Sequence, residues 1–385
     1  MTPGPVAPDG RSSGDLDVCV VGSWPLATVT AAGLAAVGHT VCCVDDDPEA
    51  IAALTAGRPT VFEPGLEEQI RAASTAGRLR FTTDFEDALS GRSTVLLAHD
   101  TTLTEDGVDL EGLFAAVRRI AAAARRDYLL VVCSQSPIGT SERLGVAARE
   151  ANPEVEVELA HVPEFLRLGD AVELFRSPDR VVVGASSGAA AARATAIFEP
   201  LGRPILTMSL REAEMVKHAT NAFVASSVSF IGEIAQLCDE LGADALPVGR
   251  ALRLDRRIGE KAYVLPGLGF NGGTVRRDVN VLLGLAAASG REAPLLEAVL
   301  DVNARQNGLV TTRLAAVLGG LEGAEVALFG LTYKSKTSTL RGSLTLQIAA
   351  QLRAAGARLR AWDPIVPADD YAQDWEIRPC EDARE

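Results

Sequence analysis

Apolar-rich runs recur along the first half of the chain, at residues 17–21, 40–44, 79–82, 94–98, 128–133 and 156–160. Between them lie stretches such as 26–37 and 110–124, where apolar residues repeat at helical spacing. Short, almost wholly apolar runs predict strands covered on both faces, and their alternation with helices predicts a parallel, doubly wound sheet. Strands at 180–183 and 204–207 and a helix at 189–199 extend it. From 211 to 241 breakers are few, and the pattern predicts one long helix. Helices follow to residue 300 and over 310–318. A second strand–helix–strand unit comes last, at 326–330, 343–354 and 358–362.

The first strand runs into Gly22, a helix and a second strand ending in Asp45, which is the layout of a dinucleotide-binding βαβ unit with an acid placed for a ribose hydroxyl. The fold class is therefore α/β, with two Rossmann-like doubly wound domains joined by a central helical domain that holds one long helix. The glycine fingerprint fits only in part. Its first, third and sixth positions are Gly22, Trp24 and Ala27. Alanine suits the sixth, where close helix packing is required. Trp24 places bulk where the backbone must approach a pyrophosphate, and Pro25 removes one N–H from the helix start. A structural βαβ unit and a cofactor site both remain open on these residues, as does a Trp24 ring lying flat against an adenine.

Composition narrows the partners. The net charge of −14 argues against nucleic acid and against an anionic membrane surface, since both need a basic footprint. No apolar run is long enough to predict a membrane span. The cysteines (19, 42, 43, 133, 238 and 380) sit mostly in apolar runs without paired spacing, which predicts reduced, buried thiols in a cytoplasmic protein and no metal site. Residues 1–14 are rich in Pro, Gly and Ser and lack the apolar core of a signal peptide, so a disordered tail is expected.

Two polar clusters carry candidate chemistry. Gly269-Phe270-Asn271-Gly272-Gly273-Thr274 precedes a helix pattern bearing Arg276, Arg277 and Asp278. It reads either as a plain turn or as a loop where a ligand meets free helix N–H groups. Thr332-Tyr333-Lys334-Ser335-Lys336-Thr337 follows a strand and reads as an anion-binding turn or a charged surface loop. On the long helix Lys217 and Asn221 are four apart and share a face, as an inward site or, more simply, a solvated stripe. His218 reads as a packing or surface residue, because nothing at metal spacing accompanies it.

The order of motifs resembles the UDP-glucose/GDP-mannose dehydrogenase family from about residue 18 to 364. The matching stretches are Gly38-His39-Thr40-Val41, Glu63-Pro64-Gly65-Leu66, Pro163-Glu164-Phe165-Leu166, Pro178-Asp179-Arg180-Val181, Glu214-Met215-Val216-Lys217-His218-Ala219-Thr220-Asn221, Arg257-Ile258-Gly259, Pro266-Gly267-Leu268-Gly269-Phe270 and Gly330-Leu331-Thr332-Tyr333-Lys334. The resemblance implies a tail over 1–15, an NAD-binding domain over 16–208, a central helical dimerisation domain over 209–305 and a nucleotide-sugar domain over 306–385. It implies NAD as cofactor, a nucleotide sugar as ligand lying between domains, and a homodimer through the central domain. Lys217, Asn221, Asp278 and Glu164 then match the family's oxyanion-stabilising lysine, its water-holding asparagine, an aspartate beside the nucleophile and a glutamate linked to proton transfer. Phe165, Leu166, Arg257, Phe270, Gly272, Arg277, Lys334 and Arg341 fall on the substrate side.

The nucleophile is where the chain departs. Family members oxidise a sugar alcohol to an acid through a cysteine thioester, and Thr274 stands at the cysteine, with Arg277 at the neighbouring lysine. A threonine hydroxyl ionises far less readily than a thiol, and its ester is a less activated intermediate. Gln135, Leu168 and Trp24 replace the turn threonine, a second glutamate and a fingerprint glycine. Two expectations follow. One is an NAD-linked oxidoreductase or sugar-modifying enzyme acting on a nucleotide-activated sugar by at most one two-electron step. The other is an inactive relative that binds a nucleotide sugar as a regulatory or scaffold subunit.

Overall fold

A computed structural model describes residues 15–104, 107–270 and 274–384. The chain divides into two compact units, Met1–Lys217 and His218–Glu385. In the first, the elements run β1 (Asp17–Val21), α1 (Pro25–Ala36), β2 (Thr40–Val44), α2 (Pro48–Thr55), α3 (Leu66–Thr75), β3 (Leu79–Thr82), α4 (Phe85–Leu89) and β4 (Thr94–Leu97). They continue with β5 (Thr102–Thr104), β6 (Gly107–Asp109), α5 (Glu111–Ala123), β7 (Tyr128–Val132), α6 (Thr140–Ala151) and β8 (Val157–His161). Then come α7 (Ala171–Arg176), β9 (Val181–Ala185), α8 (Gly188–Phe198), β10 (Ile205–Ser209) and the start of α9 (Leu210–Leu241).

One eight-stranded sheet carries this unit, in the order β10-β9-β8-β7-β4-β1-β2-β3. Alternation in the strands decides which helix layer each side chain meets. Val18 and Val20 join the core under α1, α3, α7 and α8, while Cys19 and Val21 point to the opposite core under α4, α5 and α6. Burial on both faces is why these strands are apolar without interruption. The sheet is parallel from β3 to β8, but β8 and β9 pair antiparallel, so β9 and β10 run the other way. The expectation of a wholly parallel sheet is corrected there. The periodicity of a strand carries no sign of its direction.

The second unit takes up α9 and adds α10 (Ala245–Leu254), α11 (Val275–Ala288), α12 (Pro294–Leu318), β11 (Glu325–Phe329), α13 (Leu344–Ala354), β12 (Arg358–Trp362) and β13 (Arg378–Pro379). α12 is one continuous helix, not the two pieces expected. The polar run that looked like a break holds Asn303, Gln306 and Asn307, and all three are buried. The last βαβ unit builds a three-stranded parallel sheet, β11-β12-β13, with its own core around Leu331, Leu346, Leu352, Leu359 and Ile377. Cys19, Cys42, Cys43, Cys133 and Cys238 are buried free thiols, and Cys380 is partly exposed. Among the described residues, no helix is long and apolar enough to cross a membrane.

Candidate functional site

The turn after β1 shows what each residue there does. Gly22 has φ +127°, and a Cβ on it would meet the Ala98 carbonyl oxygen at 2.6 Å, so the position accepts glycine alone. Trp24 has φ −57° as the residue before α1, an ordinary conformation, and its half-buried side chain leans on the core beneath α1. The turn therefore does not require glycine at 24. No side chain caps α1 and no acid stands in its first turn, which leaves the positive end of the helix open to an anion. Ala27 is fully buried beside Gly22. Asp45 closes the turn: its Oδ2 accepts the Ser23 N–H at 2.7 Å and its Oδ1 the Asp47 N–H at 2.9 Å. A glycine-tight turn, an uncapped helix start and an oriented terminal acid fit a dinucleotide, with Trp24 as the atypical wall.

A second cluster lies beyond the end of β8. Glu164 is partly buried, and its Oε1 accepts the Thr30 hydroxyl at 2.8 Å. Burial raises this carboxyl to about 7, against the opposing pull of the Thr30 hydroxyl and the Lys217 ammonium. Lys217 donates to the Glu164 backbone carbonyl and stands 5.3 Å from the centre of the Phe165 ring. With a relative exposure of 8%, Lys217 does not belong to a solvated stripe, and that expectation is corrected. Leu166 packs on the nearby core, and Leu168 is buried. The Cys133 thiol, buried and near the Glu164 charge, is pushed well above the ordinary thiol range, chiefly by burial.

Two buried glutamates brace this cluster. Glu63 accepts the N–H groups of Gly169 and Ala171 at the start of α7. Glu214, one turn before Lys217, accepts those of Gly139 and Ser141 at the start of α6. Anionic side chains at helix starts are favourable, and these tie α9 and the Glu63 loop to the segments they position. Thr101 donates to the Gln135 carbonyl at 2.8 Å, joining the turns after β4 and β7.

In the second unit Asp278 is completely buried. Its Oδ1 accepts the His218 Nδ1–H at 2.8 Å, and its Oδ2 accepts the Asn221 amide. His218 is thus a buried network member, not a surface residue. Thr274 is exposed and precedes α11, and Arg277 is buried on its first turn. Asn271, Gly272 and Gly273 lie outside the described residues. The segment before them is firmly held: Asn303 accepts the Phe270 N–H at 2.7 Å and donates to the Phe270 carbonyl at 2.9 Å. Gln306 donates to the Gly267 carbonyl at 2.7 Å and accepts from Gln236 at 2.8 Å. The Phe270 ring is buried among Ala222, Ala225, Val279 and Val299. Sequence reasoning missed Asn303, Gln306 and Gln236; the only signal was their position in a helix among apolar neighbours.

Arg257 is exposed and bound to Asp255 two residues earlier. In the loop after β11, Lys334 is partly buried and Arg341 exposed, and Lys336 has φ +65°. Asp363 closes this turn as Asp45 closes the first. Its Oδ2 accepts the Leu331 N–H at 2.7 Å, and its Oδ1 accepts those of Ile365 and Val366. Among the described residues, no group of three His, Cys, Asp or Glu side chains could hold a metal ion.

Known proteins match the chain along most of its length. Residues 16–202 match the NAD binding domain of the UDP-glucose/GDP-mannose dehydrogenase family, 211–305 its central domain and 327–385 its UDP binding domain. The UDP-glucose 6-dehydrogenase of Pseudomonas aeruginosa is 37% identical over 374 residues, covering 94% of this chain and 82% of the relative. The UDP-glucose 6-dehydrogenase YwqF of Bacillus subtilis is 35% identical over 352 residues, 91% of this chain and 80% of the relative. A solved UDP-glucose dehydrogenase from Pyrobaculum islandicum superposes with a TM-score of 0.93 at 35% identity, over 98% of this chain and 88% of that one. With three successive domains matched over most of its length, the chain belongs to the UDP-glucose/GDP-mannose dehydrogenase family.

Proposed function

We propose that this protein uses NAD to interconvert an alcohol and a carbonyl on a nucleotide-activated sugar by one two-electron step. NAD, when bound, supplies the hydride acceptor. Lys217, seated on the Glu164 carbonyl, faces an oxygen that gains negative charge as the hydroxyl proton leaves, and a fixed ammonium stabilises such an alkoxide without a covalent bond. The Asn221 amide, one turn further along α9, is itself oriented by Asp278. Glu164 at about 7 is half ionised near neutrality, which suits a group that receives that proton.

The observation that carries the reading is the pairing of a seated Lys217 with a neutral-poised Glu164, while Thr274 offers only a hydroxyl. Oxidation on to the acid needs an acyl intermediate that this hydroxyl does not support. The exposed apolar residues Phe223, Phe230, Leu237 and Leu241 recur along α9 at steps of seven, seven and four, the seam of a helix-packed homodimer. Trp24 favours a second reading, an inactive nucleotide-sugar-binding subunit. The test is a thermal-shift titration of the purified protein with NAD(H), UDP-sugars and GDP-sugars, followed by product analysis. Stabilisation by a nucleotide sugar with none by NAD(H) sinks the first reading and leaves the second.

A further inference from the structure

Phe165 is shared by two cations that arrive from different elements. The Lys217 ammonium on α9 stands 5.3 Å from its ring centre, and the guanidinium carbon of Arg180, the residue before β9, stands 4.6 Å from it. Among the described residues Arg180 makes no ion pair, in contrast to Arg176 and Arg193, which pair with Glu173 and Glu158. Its charge is therefore directed at the ring. A ring face attracts cations, and a planar guanidinium can stack on one in a way that an ammonium cannot. Sharing one ring puts the two charges within about one Debye length of each other at moderate salt.

We propose that Arg180 is a positioning residue for Lys217: it pins the Phe165 ring against which the ammonium is seated and adds a second positive charge beside it. The idea rests on Lys217 as the group that meets the alkoxide. Among the described residues, the titratable groups next to Glu164 and along this stretch of α9 have partners of their own. Glu164 is bound to Thr30, with Cys133 beside it; on α9 itself, Glu214 is bound to the start of α6 and His218 to Asp278.

The sequence makes the test clean, because the chain has only four lysines: Lys217, Lys261, Lys334 and Lys336. Reductive methylation with 13C-formaldehyde labels each, and Lys217→Arg assigns the Lys217 signal in a proton–carbon correlation spectrum. That signal should be shifted upfield by the ring, and Phe165→Leu should abolish the shift. Arg180→Gln should move it at least halfway to the Phe165→Leu position, and Arg180→Lys should keep most of it. Should Arg180→Gln fail to fold, Arg180→Met keeps the stem and answers the same question. An unchanged signal in Arg180→Gln overturns the proposal; so do equal shifts in the Gln and Lys variants, which would assign the effect to the stem. Where the wild-type chain turns over a nucleotide sugar, Arg180→Gln should lower kcat about tenfold with KM changed less than about twofold. A chain without turnover overturns the functional reading alone, since the spectrum needs no ligand.

Discussion

The Nδ1–H of His218 meets Oδ1 of Asp278 at 2.8 Å, with both side chains closed to solvent. The remaining carboxylate oxygen takes the Asn221 amide, so this one acid orients two neighbours on α9. Asp278→Ala leaves both donors without their acceptor and should cost about 3–5 kcal/mol. Asp278→Asn, which keeps one acceptor, should cost less. Urea denaturation measures both, and a loss under about 1 kcal/mol for the alanine variant would mean the network holds nothing.

Glu164 makes stability depend on pH in an unusual direction. Its folded value of about 7 lies above the ordinary 4.5, so the folded chain holds this proton more tightly than the unfolded chain. The contribution is intact below about 4.5 and is lost as pH rises to about 7, on the order of 3 kcal/mol in all. Glu164→Gln removes that slope. The wild type minus variant difference in unfolding free energy should fall across this window, and a flat difference would contradict the assignment.

Asp45, at the end of β2, accepts the Ser23 N–H in the turn, and in the proposed reading it would hold a ribose hydroxyl of the cofactor. Asp45→Asn should weaken NADH binding about tenfold and narrow the preference over NADPH, because an acid repels a 2′-phosphate. Quenching of tryptophan fluorescence, compared with a Trp24→Phe variant because Trp362 and Trp375 also emit, gives the readout. Equal affinities in wild type and variant would remove Asp45 from the cofactor site.

Thr274→Cys restores a thiol at the start of α11 but leaves Gln135, Leu168 and Arg277 in place. No uronic acid should appear on incubation with NAD and UDP-glucose. Chromatographic detection of the acid after this single change would show that the hydroxyl alone separates the chain from the four-electron reaction.

Phe230 is 51% exposed on α9, in the middle of the seam proposed for a homodimer. Phe230→Asp should turn a dimer into a monomer by light scattering while leaving helix content unchanged, since a charge in an apolar contact is left unpaired. A wild-type monomer at micromolar concentration would contradict the dimer directly.

The sequence made some of these features plain and hid others for physical reasons. β1 and β2 were legible because burial on both faces leaves only apolar residues, and Asp45 because it must end a strand. Lys217 was legible as a position but not as an inward one: its partners, the Glu164 carbonyl and the Phe165 ring, lie some fifty residues earlier in the chain. Gly308 and the amides of Asn303, Gln306 and Asn307 imitated a helix break in α12. The amides of Asn303 and Gln306 instead serve the backbone of Phe270 and Gly267, a contact that no periodicity records. The reversal of β9 was equally hidden, because alternation along a strand is the same read from either end.

Gly22 carries a lesson about inheritance. Its glycine is demanded by the Ala98 carbonyl at the end of the neighbouring strand, whatever the turn binds. A chain with this turn would need the glycine even without a nucleotide, because any side chain there would push the Ala98 carbonyl away. Position 24 has no such obligation, and drift there is where a change of ligand would first be written. In this chain the first fingerprint position answers to the Ala98 carbonyl, and the third is under no backbone demand for glycine.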